Sequence, residues 1–369
     1  MKRTFLYGRH LELGAKFTEF GGWEMPLQYS SIIDEHNAVR SAAGVFDVSH
    51  MGTFIVSGKN AAAFLDKVCL GNISSLPEKK ARYSMILNEN GAIKDDVIVY
   101  NFGGEYMVVA NAGNIEKDRK RLDEYKPDDV ILEDFSGKIC MLALQGAKAA
   151  EILQSLSETD VLSMKYFTVS ELKLKDIDAD FLRAARTGYT GEDGFEIFIS
   201  NRGAQTLWDK LISLSVKPCG LGCRDTLRLE ACMPLHGHEI SEDINPIDAG
   251  FQKTINWDGD FIGKEALLPF KDNPKRKIIA FECLRGVARN GNKIFACGKE
   301  VGYVTSGAFS PTLKKPLGLA LIDIKAADET KDGAGFFEVE IRGDKREIKV
   351  VNKPFYKKKQ IAVRFAAKL

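Results

Sequence analysis

A glycine-rich turn that leads into a strand reads Arg186-Thr-Gly-Tyr-Thr-Gly-Glu-Asp-Gly-Phe-Glu196. The glycines and the acidic pair predict a tight loop, and the run Phe195-Glu-Ile-Phe-Ile199 predicts a β-strand. The glycine spacing differs from that of phosphate-binding and dinucleotide-binding loops. Glu196 is an acid in an otherwise apolar strand. It either accepts hydrogen bonds from a planar ligand with two N–H donors or faces solvent.

Two adjacent carboxylates follow a turn in the segment Asn88-Glu-Asn-Gly-Ala-Ile-Lys-Asp-Asp96. The Asn-Gly pair predicts a turn, and the apolar residues after it predict a strand. Because strand side chains alternate, Asp95 and Asp96 point to opposite faces, and Asp96 shares its face with Tyr100. Either one of the two acids borders a ligand site, or both merely end a hairpin.

A third segment, Gly220-Leu-Gly-Cys-Arg-Asp-Thr-Leu-Arg-Leu-Glu230, predicts a helix with Arg224 and Arg228 one turn apart. The like charges repel at this spacing. Either Asp225 and Glu230 neutralise them, or one guanidinium reaches an anionic or carbonyl group of a ligand.

The cysteine and histidine pattern does not predict a zinc site. Cys219 and Cys223 are followed by His236 and His238, but a second closely spaced pair of cysteines or histidines is missing. His50, His236 and His238 are the candidates for acid–base work, but no nucleophilic serine or cysteine stands beside them in a triad pattern, so they are expected to play structural or supporting roles.

The composition is that of an ordinary globular protein, with 44% hydrophobic and 28% charged residues. At 369 residues the chain exceeds a usual single core, so two or three domains are expected. The 52 basic and 51 acidic residues nearly balance, which predicts no binding to nucleic acid or to an anionic membrane. The chain has no long apolar run and no apolar signal segment, and its cysteines are scattered. A cytoplasmic protein with reduced thiols is therefore expected.

Short strand signals and helical patterns alternate through the first part of the chain, which predicts an α+β fold with mixed α/β domains. A charged, proline-interrupted linker at 271–277 separates them from a tail of strand signals at 278–283, 302–305, 318–322 and 336–341. A C-terminal β-barrel-like domain fits that tail best.

Together these segments resemble the glycine-cleavage T-protein family, and the resemblance extends over almost the whole chain. The segments that carry it, in family order, are Gly21-Gly-Trp-Glu-Met-Pro-Leu-Gln-Tyr29, Phe46-Asp-Val-Ser-His-Met-Gly52, Lys94-Asp-Asp96, Arg186 to Glu196, Gly220 to Gly237, Phe261-Ile-Gly-Lys-Glu-Ala266, Val304-Thr-Ser-Gly-Ala-Phe-Ser-Pro-Thr312 and Lys353-Pro-Phe-Tyr356.

The resemblance implies a three-domain cloverleaf and an aminomethyltransferase. Its co-substrate is tetrahydrofolate, and its partner is the lipoylated H protein of the glycine cleavage system. Because the cysteine and histidine spacings offer no convincing site, no metal is expected. By analogy the first, folate-binding domain comprises residues 1–50 and 140–250, and an α+β domain is inserted at 51–139. A connecting segment at 251–277 leads to the β-rich domain at 278–369.

Carried over residue by residue, the resemblance implies that Asp96 is the catalytic carboxylate and Glu196 the pterin anchor. Arg224 and Met51 correspond to further folate-binding residues. The aromatic wall of the site corresponds to Tyr83, Tyr100 and Tyr189.

Two positions depart from the family pattern. His236 stands where relatives often have tyrosine, and a histidine titrates near neutral pH. The C-terminal segment around Arg364 aligns ambiguously, so Arg364 is given no role. Relatives of the same fold leave two alternatives: a folate-dependent demethylase and a non-enzymatic folate-binding protein.

Overall fold

The computed structural model describes residues 1–326 and 336–358 of the chain. Arg364 and most of the C-terminal basic segment lie outside the described residues. The chain forms two compact units: Met1–Ile86 with Asp96–Arg224, and Leu87–Asp95 with Asp225–Leu369. The three-domain division drawn from the sequence stays a prediction.

Helices and strands alternate along the described chain. From the N-terminus to residue 134 they are α1 Tyr7–Glu12, β1 Lys16–Phe20, β2 Trp23–Gln28, α2 Ile32–Ser41, β3 Gly44–Asp47, β4 Gly52–Gly58, α3 Ala61–Val68, β5 Lys80–Leu87, β6 Ile93–Asn101, β7 Glu105–Ala110, α4 Ile115–Tyr125 and β8 Val130–Asp134. From residue 139 they are β9 Ile139–Gln145, α5 Ala149–Leu156, β10 Val169–Glu171, β11 Leu182–Ala185, β12 Gly194–Ser200, α6 Asn201–Ser213, β13 Lys217–Pro218, α7 Leu221–Glu230, α8 Lys264–Leu267, β14 Arg276–Cys283, β15 Lys293–Ala296, β16 Lys299–Ser310, β17 Lys315–Asp323, β18 Phe337–Ile341 and β19 Asp344–Val351.

One sheet of the first unit has the strand order β10-β11-β12-β9-β3-β13. Its central strand β9 is buried along its whole length, and β12 is buried from Gly194 to Ile199. Helix α6 packs on this core because its apolar positions Ala204, Leu207, Trp208 and Leu211 recur at three and four residues. The sheet thereby holds Glu196, on β12, in a fixed and buried position.

A second sheet has the order β5-β6-β7-β4-β8. In β6 the odd-numbered side chains from Ile93 to Val99 are buried, whereas the even-numbered ones from Lys94 to Ile98 are half-buried. This pattern confirms the predicted alternation, so Asp95 and Asp96 lie on opposite faces.

The predicted turn before β6 is also present. The Asn88 Oδ1 atom accepts hydrogen bonds from the backbone N–H groups of Asn90 (3.1 Å) and Ala92 (3.0 Å). Gly91 between them has φ of +77°, a left-handed conformation that glycine adopts without steric cost.

The second unit contains a closed barrel in the order β14-β17-β16-β15-β18-β19. Inward-facing side chains such as Phe281, Ile294, Val304 and Val339 fill it. The predicted α+β class and the C-terminal barrel are both confirmed.

Candidate functional site

Glu196 is the centre of a buried polar cluster in the first unit, with only 4% of the residue exposed. Its Oε2 atom accepts hydrogen bonds from the Tyr100 hydroxyl (3.0 Å) and the Thr187 hydroxyl (2.5 Å). Within the described residues, Oε1 has no hydrogen-bond partner. The carboxylate is thus held by two protein donors and keeps one oxygen available as an acceptor.

The loop before β12 is shaped by Gln145. The Gln145 side-chain amide donates to the Thr187 carbonyl (3.1 Å) and accepts from the Thr190 hydroxyl (2.8 Å). A Cβ atom at Gly188 would overlap that amide, so this position requires glycine. Arg186 and Asp193 close the loop with two hydrogen bonds of 2.9 and 2.6 Å. The glycine-rich segment therefore places Thr187 beside Glu196.

Asp96 is held by two donors, one on each carboxylate oxygen. The Tyr83 hydroxyl donates to Oδ2 (3.0 Å), and the Asn111 amide donates to Oδ1 (2.7 Å). Asp95 is fully buried, whereas Asp96 is half-buried. Of the two acids, Asp96 is the one with surface available to a ligand.

Tyr100 connects the strand of Asp96 to Glu196. It lies four residues after Asp96 on the same face of β6, about 13 Å along the strand. Tyr100 has no exposed surface, and its ring packs edge-on against that of Phe198, with 5.4 Å between the ring centroids. Burial and the neighbouring Glu196 charge raise the pKa of Tyr100, which keeps its hydroxyl a proton donor.

Arg224 lies over the ring of Tyr189, with 4.6 Å from the guanidinium carbon to the ring centroid. Burial lowers the pKa of Arg224, while the Tyr189 and Glu196 groups oppose that shift. No hydrogen bond engages the guanidinium within the described residues. Its N–H donors are therefore available to a ligand, which favours the alternative that one guanidinium of this helix reaches a ligand group.

The neighbouring arginine of the same helix is neutralised inside the protein. Arg228 pairs with Asp225 (2.8 Å) and Glu239 (3.0 Å). Glu230, which the sequence suggested as a partner, instead accepts hydrogen bonds from the Ser310 hydroxyl (2.5 Å) and the Thr312 backbone N–H (3.1 Å).

Met51 and the two downstream histidines have simpler surroundings. Met51 is half-buried, and its backbone N–H donates to the Val48 carbonyl (3.1 Å). His236 Nε2 donates to the Lys94 carbonyl (2.9 Å), and His238 Nδ1 lies 3.2 Å from the Ser306 hydroxyl. His236 thus fastens backbone two residues before Asp96.

His50, one of the three histidines expected to play structural or supporting roles, is a buried residue of the site. It is 2% exposed, its ring packs edge-on against Phe20 at 5.6 Å, and its Nδ1 atom has no hydrogen-bond partner. Burial and the charge of Arg224 lower its pKa to about 4, although Asp47 opposes the shift. His50 is therefore neutral at neutral pH.

Replacing His50 with asparagine is expected to flatten the pH dependence of stability. A folded pKa of about 4 lies below the unfolded value of 6.5, so the unfolded chain gains a proton first as the pH falls. From about pH 7 to about pH 5 the wild type should lose about 2 kcal/mol more unfolding free energy than the variant. Urea unfolding of both proteins at the two pH values measures this difference. Parallel pH profiles of unfolding free energy for the two proteins would show that folding does not lower the pKa of His50.

Three potential metal ligands, Glu35, Cys219 and Cys223, meet within 4.8 Å in the described part of the chain, and all are buried. The Glu35 carboxylate already accepts backbone N–H bonds from Tyr29 (2.6 Å), Ser30 (3.0 Å) and Gly220 (2.9 Å). Burial raises the pKa of the Cys223 thiol well above its usual range, which disfavours the thiolate that binds metal. The cluster has a structural role, because Glu35 on α2 binds the backbone N–H of Gly220 just before α7.

Comparison with known proteins extends these observations. Residues 6–259 match the model of the GCVT N-terminal domain, and residues 276–357 match that of the glycine cleavage T-protein C-terminal barrel domain. The chain is 45% identical to the aminomethyltransferase of Geobacillus sp. (strain WCH70), covering 97% of this chain and 99% of the relative. It is 46% identical to that of Caldanaerobacter subterraneus subsp. tengcongensis, with coverage of 97% and 96%.

A solved structure of an aminomethyltransferase has the same fold as this chain. The glycine cleavage system aminomethyltransferase T of Bartonella henselae superposes with a TM-score of 0.88 at 33% identity, covering 96% of this chain and 98% of that one. The carboxylate site in the first matched domain and the barrel in the second define an enzyme of the aminomethyltransferase class. The chain belongs to the glycine cleavage T-protein family, which confirms the resemblance drawn from its motifs. Among the described helices, none has the length and apolar character needed to cross a membrane.

Proposed function

We propose that this chain transfers the aminomethyl group carried on the lipoyl arm of the H protein to tetrahydrofolate, the substrate its family uses. In this reaction N5 of the folate attacks the aminomethyl carbon. The carbon–nitrogen bond breaks to release ammonia, the carbon–sulfur bond breaks to leave the dihydrolipoyl thiol, and N10 closes the methylene bridge. The observation that carries the proposal is the buried Glu196 carboxylate, whose Oε1 atom has no hydrogen-bond partner among residues 1–326 and 336–358.

That oxygen is suited to the pterin. The pterin edge presents an amine and a ring N–H side by side, and a carboxylate accepts both. Two parallel hydrogen bonds from the pterin would use both oxygens of the Glu196 carboxylate. Since the Tyr100 and Thr187 hydroxyls already donate to Oε2, we propose that Oε1 receives most of the interaction. Tyr100 then holds the anchor through its hydroxyl, and its place in the aromatic wall of the site stays a prediction.

Asp96 is proposed as the proton relay. Its carboxylate accepts from Tyr83 and Asn111, and a carboxylate oxygen is able to take a proton from the folate nitrogens. General acid–base catalysis of this kind contributes typically about 10²- to 10⁴-fold. Arg224, stacked on Tyr189, is proposed to donate to a carbonyl or carboxylate of the folate. Met51 stays a predicted folate contact.

A substrate comparison tests the proposal against its main alternative. The purified chain and tetrahydrofolate are offered either aminomethylated H protein or a free methylated amine, and both methylenetetrahydrofolate and 5-methyltetrahydrofolate are measured, because transfer of a methyl group without an oxidant gives the methyl form. Product from the H protein alone is expected. Product from the methylated amine alone would identify a demethylase, and folate binding without either product would identify a binding protein.

Activity is expected to survive chelation. The only cluster of three potential metal ligands in the described ranges 1–326 and 336–358 is Glu35, Cys219 and Cys223, and its carboxylate already accepts three backbone N–H bonds. Turnover after dialysis against a strong chelator should therefore equal that of untreated enzyme. Metal analysis of the same samples is the control. Stoichiometric zinc whose removal abolishes turnover, and whose return restores it, would contradict the expectation.

A further inference from the structure

We infer that Asn111 is a positioning residue of the reaction and acts through the Asp96 carboxylate. The inference rests on the proposed function. Asn111 directly follows the last residue of β7, the strand that pairs with β6. Its side-chain amide donates to Asp96 Oδ1 at 2.7 Å and approaches the Asp96 backbone carbonyl at 3.2 Å. One amide therefore holds both the backbone and the side chain of Asp96.

The local structure shows that this amide serves no helix cap. Asn111 occupies the N-cap position of the short 3-10 helix Ala112–Asn114, where an asparagine side chain ordinarily accepts a backbone N–H. It makes no such hydrogen bond, and its backbone carbonyl accepts from the Asn114 N–H instead (2.9 Å). The side chain is directed to the carboxylate of the neighbouring strand.

The two donors on Asp96 fix the plane of its carboxylate. Tyr83 holds Oδ2 and Asn111 holds Oδ1, so the remaining lone pairs point in defined directions. Without the amide, Oδ1 loses this donor, and the orientation of the carboxylate is less strictly fixed although Tyr83 still holds Oδ2. A displacement of about 1 Å in a reacting group costs on the order of 10²-fold in rate.

The test is a double-mutant cycle between Asn111→Asp and Asp96→Asn. Asn111→Asp preserves shape but replaces the donor with an acceptor that repels Asp96, and kcat should fall by about 10- to 100-fold. Tetrahydrofolate affinity, measured by calorimetry, should change by less than about threefold. In the Asp96→Asn background the same substitution should lower kcat no further, because the group it positions is gone.

Asn101→Asp is a matched control on β6. The Asn101 amide donates to the Leu76 carbonyl at 2.7 Å, and Asn101 is buried whereas Asn111 is half-buried, so the control introduces its charge at the more enclosed of the two positions. Its kcat should remain near wild type in folded protein. If Asn111→Asp does not fold, Asn111→Ala removes the donor without adding charge, and it enters the same cycle.

The outcomes are separable. Equal losses of kcat from Asn111→Asp in both backgrounds, or no loss in either, would overturn the positioning role while wild-type turnover upholds the proposed function. Absence of wild-type turnover with aminomethylated H protein would refute the proposed function and, with it, this inference.

Discussion

Replacing Asp96 with asparagine is expected to lower kcat by about two to four orders of magnitude and to leave tetrahydrofolate affinity nearly unchanged. Asparagine preserves the shape and much of the hydrogen bonding of the carboxylate, but it does not accept a proton as a carboxylate does. The loss therefore falls on the transition state and not on folate binding. Single-turnover rates at saturating folate, with calorimetric binding of folate alone, separate the two effects.

Asp95→Asn is the matched control, since Asp95 is the adjacent residue on the opposite face of β6 and is fully buried. It should act mainly through stability, with turnover per folded molecule close to that of the wild type. If Asp95→Asn abolished turnover in folded protein while Asp96→Asn retained it, the assignment of faces to roles would be inverted. If neither substitution mattered, the proton relay would be wrong.

Glu196→Ala is expected to weaken tetrahydrofolate binding by about 1–3 kcal/mol, because the pterin donors are left unpaired in a desolvated site. The Tyr100 and Thr187 hydroxyls also lose their shared acceptor. Isothermal titration with tetrahydrofolate measures the change directly.

Glu171→Ala is a control for the loss of Glu196. Glu171 lies on β10 of the same sheet, where its carboxylate pairs with Arg183 (2.9 Å) near solvent. Its removal should leave folate affinity unchanged. An unchanged dissociation constant for Glu196→Ala would leave the pterin without its proposed anchor and would transfer the role to another acceptor.

Features set by local sequence were predictable. Alternation along β6 separated Asp95 from Asp96, the Asn88 turn followed from its Asn-Gly pair, and glycine-punctuated strand signals indicated the barrel. In each case the cause lies within a few residues of its effect. The same holds for α6, whose apolar residues recur at helical spacing and place Trp208 in the core.

Features set by tertiary contact were not predictable. The pairing of Arg228 with Glu239 rather than Glu230 depends on how the chain returns after α7. Asn111 donates to Asp96, and Thr187 donates to Glu196. Both are ordinary polar residues, and their roles as donors arise only from tertiary contacts. Family resemblance identified Asp96 and Glu196 as functional candidates, but it did not show how they are held.

The most direct test of the central claim is the stoichiometry of one reaction catalysed by the purified chain. Aminomethylated H protein and tetrahydrofolate are supplied together, and methylenetetrahydrofolate, ammonia and dihydrolipoyl H protein are all quantified. The account predicts that the three products appear in equal amounts, with rapid ammonia release only when tetrahydrofolate is present. Equally fast ammonia release without tetrahydrofolate, or consumption of the aminomethyl group with no methylenetetrahydrofolate formed, would contradict it.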